Sequence, residues 1–383
     1  MDDGDVESAV NRWSDALHRE ASTACGELDD FGNGDYRTGL QVLLQAALSS
    51  PGAGELLTDR VHNTARSALQ ARLYAEAAWK AHPGVRDNDL VRPLVITGLP
   101  RSGTTVMHQM LANDEQFQFV PQWLSEHPMP RPEPESWPEF EAYRTAVASR
   151  SVSGPDLVHD VPPEAPTECI AMLRQSFVST FWAVNMPLPG YADWFWEQDE
   201  TASYARYKDV LRLYGTHTTE RTWLLKNPSH TIGMRALLRA FPDACVVELR
   251  RDPVETISSG ASLISRRWPA DIWPPEEIGR HRLESWSRAG MRCAEAHADH
   301  AESFHVVRYE DLIEDPFAVA QAIYERFDLS MSTRAAATMR EWIVQLPQHQ
   351  HGVHSYTPEK FGLSREGILS AFEGVLESWK LRR

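Results

Sequence analysis

The chain has 383 residues, 42% of them apolar, enough for one large domain or two ordinary ones. Its 54 acidic side chains outnumber 38 basic ones, a formal net charge of −16, which argues against general binding to nucleic acid or anionic membranes; any anion site must come from a local cluster of bases. The four cysteines, Cys25, Cys169, Cys245 and Cys293, form no CxxC pair, so reduced, mostly buried thiols are expected rather than a disulfide framework or a zinc site.

The start, "MDDGDVESAV", is acidic and lacks a basic head followed by an apolar core, so it does not read as a signal peptide. No apolar run approaches the ~20 residues needed to span a bilayer. A soluble, cytoplasmic protein without integral membrane association is expected. Residues 1 to about 90 read as helical. In "ARSALQARLYAEAAWKAHPG", Leu69, Leu73 and Ala77 recur four apart on one face, and Pro83-Gly84 stops the pattern.

After "VRDNDLVRP" the character changes. "LVITGL" is a short continuous apolar run, as in a strand buried on both faces of a parallel sheet. Three similar runs follow: "TWLLK" (Thr222 to Lys226), "ACVVELR" (Ala244 to Arg250) and "FHVVRY" (Phe304 to Tyr309). Helical stretches separate them, and strands alternating with helices imply an α/β fold with a parallel sheet flanked by helices. Asn227-Pro228, Asp252-Pro253, Asp315-Pro316 and Thr357-Pro358 each set a capping residue before a proline suited to a first turn. Between the first two runs lies a long insertion with a proline-rich part, "EHPMPRPEPESWP", and an aromatic part, "FWAVNMPLPGYADWFW". Two readings stand for the aromatic part: core helices, or the lining of a ligand site near the sheet's carboxyl ends.

The densest chemistry is "GLPRSGTT", Gly98 to Thr105. It has the G-x-x-x-x-G frame of a phosphate-binding loop between a buried strand and a helix with Val106, Met107, Met110 and Leu111 on its apolar side. Gly98 and Gly103 let the backbone wrap an anion, and the amides at the helix start point at it. Thr104 and Thr105 add hydroxyls. A nucleotide triphosphatase would carry lysine after the second glycine; here that position is Thr104, and the cation, Arg101, lies inside the loop. No apolar strand ends in an aspartate suited to Mg²⁺, and "CVVELRRDP" ends in arginines. A magnesium-dependent triphosphate site is therefore disfavoured, and no metal is expected. Asp252-Pro253 starts a helix that brings Ser259 to the side from which Arg251 projects, so one cation and one hydroxyl converge on one anion.

"PRSGTT", "WLLKNPSH" and "VVELRRDPVETISS", in that order, resemble the sulfotransferases that use 3′-phosphoadenosine 5′-phosphosulfate (PAPS). "RYEDLIEDP" and "HSYTPEKFGL" resemble the bacterial branch of that family, and the resemblance runs from about Leu94 to Leu363. It implies a P-loop-type sulfotransferase domain over residues 91–383, with an acceptor-site insertion at about 121–220, and leaves residues 1–90 as a helical N-terminal extension. It further implies that Arg101, Ser102, Gly103, Thr104 and Thr105 cradle the 5′-phosphosulfate, with Arg101 neutralising charge on the bridging oxygen. Arg251 and Ser259 fall where the family binds the 3′-phosphate. Lys226 would hold sulfuryl oxygens, and His230 would take the acceptor proton, an unshifted pKa near ~6.5 suiting a base. Glu168, at a helix start in "APTECIAMLRQSF", is the competing base, since some branches use a carboxylate.

The implied reaction is in-line transfer of a sulfuryl group from PAPS to a hydroxyl of a small or lipid-like acceptor, leaving PAP, with catalysis mostly by positioning and electrostatics. A P-loop kinase using ATP and a non-catalytic relic of a nucleotide site are the alternatives. "RYEDL" reads as a charge network at the sheet's carboxyl edge. His354 lies between Val353 and Ser355 where relatives carry a basic loop, which leaves the nucleotide contact of that loop open. His349, His351 and His354, and likewise His297 and His300, read as ordinary surface histidines rather than metal clusters. A homodimer through the N-terminal helices is open, and the acceptor cannot be named.

Overall fold

The computed structural model describes residues 3–50, 54–152, 162–345 and 357–379. The chain forms two compact units: residues 1–90 with 119–221, and residues 91–118 with 222–383. In the first unit α1 (Asp3–Ala24), α2 (Arg37–Ser49) and α3 (Glu55–Ala81) pack on one another. Leu69 and Leu73 are fully buried in α3, and the helix ends at Ala81, just before Pro83, as the apolar spacing and the proline stop require.

The insertion shares the first unit with these helices. Arg72 of α3 has no exposed surface, yet its guanidinium finds three carbonyls. Nε donates to Phe31 O at 2.9 Å, Nη1 to Gln175 O at 3.0 Å and Nη2 to Asn33 O at 3.1 Å. The ring of Tyr36 lies 4.1 Å away. Burial drives the pKa of Arg72 down to about 9. The bonds explain why the charge is tolerated: a buried polar group costs little when every donor is met. The insertion's aromatics are core as well. Trp182 and Tyr191 are fully buried, Phe195 and Trp196 nearly so, and Trp182 stacks on Phe177 at 5.7 Å. Of the two readings of that stretch, the buried core accounts for these four side chains.

The second unit is built on five parallel strands: β1 (Leu94–Gly98), β2 (Phe117–Gln118), β3 (Thr222–Lys226), β4 (Cys245–Arg250) and β5 (Phe304–Arg308). Their order is β2-β3-β1-β4-β5. Four coincide with the apolar runs to within a residue; β2, two residues long, carries no pattern that could mark it. Every residue of β1 and β4 is buried, whereas β5 at the edge exposes part of its length. Continuous apolar runs thus sit where both faces are covered.

Four helices of this unit matter below: α4 (Thr104–Leu111) after β1, then α5 (Pro253–Ser265), α6 (Pro275–Asp299) and α7 (Glu373–Trp379). Asp252 caps α5 by accepting from Val254 N at 2.8 Å. Asn227 caps in the same way, its Oδ1 accepting from Ser229 N at 3.1 Å, but it opens a short 3-10 turn, Pro228–Thr231, rather than an α-helix. Because β1 is central, the loops after β1, β3 and β4 leave the sheet side by side at its carboxyl edge, where open α/β sheets bind ligands. Among the described residues no helix is long and apolar enough to cross a membrane.

Arg72→Met is expected to destabilise the protein by about 1–3 kcal/mol, because it strands the buried Gln175 carbonyl. Urea unfolding followed by tryptophan fluorescence measures it. A change inside experimental error would show that Arg72 does not hold the first unit together.

Candidate functional site

The turn from β1 into α4 leaves no space for side chains at its two glycines. Gly98 has φ +141°, and a Cβ there would overlap the Leu249 carbonyl oxygen of β4. Gly103 has φ +94°, and a Cβ there would lie 2.9 Å from Leu312 and 3.2 Å from the ring of Tyr309. Between them Arg101 also adopts a left-handed backbone, φ +71°. A non-glycine in that region is strained, and such strain clusters at functional sites. Gly103 is the N-cap of α4, so the first amides of that helix open onto the loop.

Arg101 links the other expected residues. Its Nε donates to Ser259 Oγ at 3.2 Å, and its carbonyl accepts from Arg251 Nη1 at 2.9 Å. The Arg251 guanidinium lies over the ring of Tyr309 at 4.0 Å, a distance at which cation–π attraction holds it flat. On the other side of the loop, Lys226 Nζ donates to Thr105 Oγ1 at 3.4 Å. Lys226 is almost buried, and Thr104 and Ser259 are buried as well. Ser102 is completely buried, and its Oγ has no hydrogen-bond partner among the described residues. A buried hydroxyl left unmet is costly, and it stands in a loop already lined with cations and helix amides. The residues therefore suit a phosphate or sulfate group.

His230 is placed by backbone bonds. Thr97 Oγ1 donates to Asn227 O at 3.0 Å and lies 3.1 Å from Thr231 Oγ1; His230 N donates to the same Asn227 carbonyl at 3.1 Å. These bonds pin the 3-10 turn to β1. His230 is fully buried, and burial pushes its pKa down to about 3. The expected unshifted value near ~6.5 is thus corrected: burial removes the water that stabilises the charged imidazolium. The ring is neutral throughout the physiological range. His108, one turn into α4, is likewise buried, and burial and then the Lys226 charge hold its pKa well below the ordinary value. Glu168 belongs to the first unit, where it is half-buried two residues before the short helix Ile170–Arg174.

Two residues matter more than their sequence context showed. Tyr309 stands in "RYEDL", which reads from the sequence as a charge network. The charged pair there, Arg308–Glu310, is 3.8 Å apart and more than half exposed, whereas the tyrosine ring touches both Gly103 and Arg251. The only available signal was an aromatic residue at a strand end. Arg250, which precedes Arg251 in the sequence, is 7% exposed and bidentate to Glu248. His349, His351 and His354 lie outside the described residues. Among the described residues, no group of His, Cys, Asp or Glu is arranged to hold a metal ion, and His297 instead sits against Glu248.

Comparison with known proteins adds an independent line. A family model described as "Sulfotransferase family" matches residues 93–333. The omega-hydroxy-beta-dihydromenaquinone-9 sulfotransferase Stf3 of Mycobacterium tuberculosis is 23% identical over 292 residues, covering 70% of this chain and 71% of its own. Among solved structures, sulfotransferase STF1 from Mycobacterium tuberculosis H37Rv is 34% identical with a TM-score of 0.84, covering 94% of this chain and 98% of that one. Sulfotransferase STF9 from Mycobacterium avium is 26% identical, also with a TM-score of 0.84, covering 96% and 97%. The parallel sheet flanked by helices is thus a sulfotransferase fold.

The buried histidine makes stability depend on pH with a defined sign. Its folded pKa, about 3, is below that of the unfolded chain, so between about pH 6.5 and pH 3 only the unfolded state takes up the proton, and acid destabilises the fold. His108 acts in the same direction. His230→Leu is expected to lose less stability than wild type between pH ~7 and pH ~5, by on the order of 2 kcal/mol. Denaturant unfolding of both proteins at the two pH values measures the difference. Parallel losses would mean that His230 is protonated inside the folded protein.

Proposed function

The chain belongs to the sulfotransferase family, and on that premise we propose that it moves a sulfuryl group from PAPS to a hydroxyl of a small, lipid-like acceptor. The observation that carries this reading is the arrangement around the loop. Arg101 is joined to both Ser259 and Arg251, and Lys226 meets Thr105 on the opposite side. Two anion-binding groups of residues share one loop, as a donor with a 5′-phosphosulfate and a 3′-phosphate demands.

In this reading the amides of Gly103 to Thr105 and the unmet Ser102 hydroxyl hold the 5′-phosphosulfate. Arg251, kept flat by Tyr309, and Ser259 take the 3′-phosphate. PAPS supplies an activated sulfuryl group. A bond forms from the acceptor oxygen to sulfur as the bond from sulfur to the bridging phosphate oxygen breaks, and the acceptor proton goes to a base. Lys226 and Arg101 offset the charge that grows on the sulfuryl and bridging oxygens. Preorganised charges in a water-poor site contribute most of such catalysis, and no metal enters the scheme.

His230 is the preferred base, since its turn is tied to β1; burial lowers its proton affinity, which counts against it relative to a base with a pKa near the working pH. Glu168 is the competitor. The insertion, about residues 121–220, is assigned to the acceptor, and residues 1–90 to an extension that supports it. The lipid-like class rests on the hydroxylated menaquinone named for the Stf3 relative. The first experiment is transfer of labelled sulfate from PAPS to a lipid extract, with the product identified by mass.

Two variants test the assignments. Arg251→Ala is expected to weaken PAP binding by roughly 1.5–3 kcal/mol, the worth of a charge-assisted contact, and to leave ADP, which lacks the 3′-phosphate, nearly unaffected. Equal losses for the two ligands in calorimetry would remove Arg251 from that role. His230→Ala should lower kcat by about 10²–10⁴ with little change in PAP affinity, and Glu168→Gln should cost much less. If Glu168→Gln abolishes transfer while His230→Ala stays within about tenfold of wild type, below the usual effect of a lost base, the base is Glu168.

A further inference from the structure

Arg250 and Arg251 leave the end of β4 in opposite directions, because side chains alternate across a strand. Cys245, Val247 and Leu249 face the core shared with Met107 and Met110 of α4, and Arg251 follows them toward the loop. Glu248 and Arg250 face the other way, toward α6. There Arg250 Nε meets Glu248 Oε1 at 3.1 Å and Nη2 meets Oε2 at 2.8 Å, a fork-on-carboxylate pair. His297 of α6 places Nδ1 3.1 Å from both Glu248 Oε2 and Arg250 Nη2. The ring of Trp379 in α7 lies 5.3 Å from the Arg250 guanidinium, and Phe304 of β5 stacks on His297 at 4.4 Å. Burial by itself would raise the Glu248 carboxyl, but the bonds from His297 and Arg250 outweigh it and keep the group below its ordinary pKa.

Such a cluster is a poor source of stability. Two charges have been taken out of water, and buried pairs of this kind are often replaced by apolar side chains at no loss. What the pair does supply is direction. Arg250 is the last residue of β4, its planar fork admits few orientations against a carboxylate, and four elements close around it. A rotation of the strand end would break the fork and would also swing Arg251 away from the Arg101 carbonyl and the Tyr309 ring. A competing partner is already in reach, since the more than half exposed Glu255 lies 3.8 Å from Arg251 Nη2.

We propose that Glu248, Arg250 and His297 are positioning residues which fix the end of β4 so that Arg251 stays between the Arg101 carbonyl and the Tyr309 ring, at the 3′-phosphate, against the competing pull of Glu255. The inference rests on the assignment of Arg251 to that phosphate. Arg250 touches no reacting atom; it acts through the backbone it shares with Arg251.

The test is the ratio of PAP to ADP affinity, measured by calorimetry, alongside the thermal midpoint. Glu248→Leu with Arg250→Met replaces the pair by apolar volume. The double variant is expected to stay folded near the wild-type midpoint, to lose about tenfold or more in PAP affinity, and to hold ADP affinity within about twofold. A folded double variant with the wild-type ratio overturns the proposal. If the double variant does not fold, His297→Leu and His297→Gln decide instead: glutamine can still bridge Glu248 and Arg250 and should restore the ratio, while leucine should not. Equal ratios for these two would overturn the proposal as well. A wild-type protein that binds PAP no better than ADP would first remove the assignment of Arg251, and the positioning role would fall with it.

Discussion

The close approach of two backbones at the carboxyl edge of the sheet governs the rest of the site. Gly98 passes against the Leu249 carbonyl, and Gly103 passes against Tyr309 and Leu312. Neither position accepts a Cβ, so the chain turns from β1 into α4 within five residues. That brevity makes the loop a cradle: Ser102 N closes the turn on Leu99 O at 3.2 Å, and the amides at the start of α4 are left to open onto the loop. Arg101 is forced into a left-handed conformation by the same turn. Its carbonyl is thereby presented to Arg251 and its side chain to Ser259.

Electrostatics inside the second unit divide by face. On the side of α4 the charges are cations, Arg101, Lys226 and Arg251, gathered around a loop whose buried Ser102 hydroxyl is unmet among the described residues. On the side of α6 the charges are compensated: Glu248, Arg250 and His297 satisfy one another. The two arginines in succession at the end of β4 thus have opposite fates, one neutralised inside the fold and one directed toward an anion. A chain with a net charge of −16 can still present a local group of cations because topology concentrates them, not because the protein is basic overall. The first unit shows the alternative use of a buried arginine. Arg72 meets carbonyls rather than a ligand, and its charge ties α3 to the insertion.

Much was legible from residue order alone. The strands β1, β3, β4 and β5 could be read because strands buried on both faces need continuous apolar runs, and the capping residue before proline marked the starts after Asn227 and Asp252. The loop could be read because a turn this tight admits few residues other than glycine. These signals are local: each is set within a handful of neighbours, so the linear chain carries them. Only the tertiary structure decided the remainder. The pKa of His230 depends on complete burial by distant segments, which nothing in "LLKNPSH" announces. Tyr309 meets Gly103 and Arg251 across more than fifty residues of chain, and Glu248 meets His297 across 49. The aromatic stretch at Phe181–Trp196 could be core or lining until its surroundings were known, since an apolar run does not say which surface covers it. Packing partners far apart in sequence determine burial, and burial determines what a titratable or aromatic side chain does.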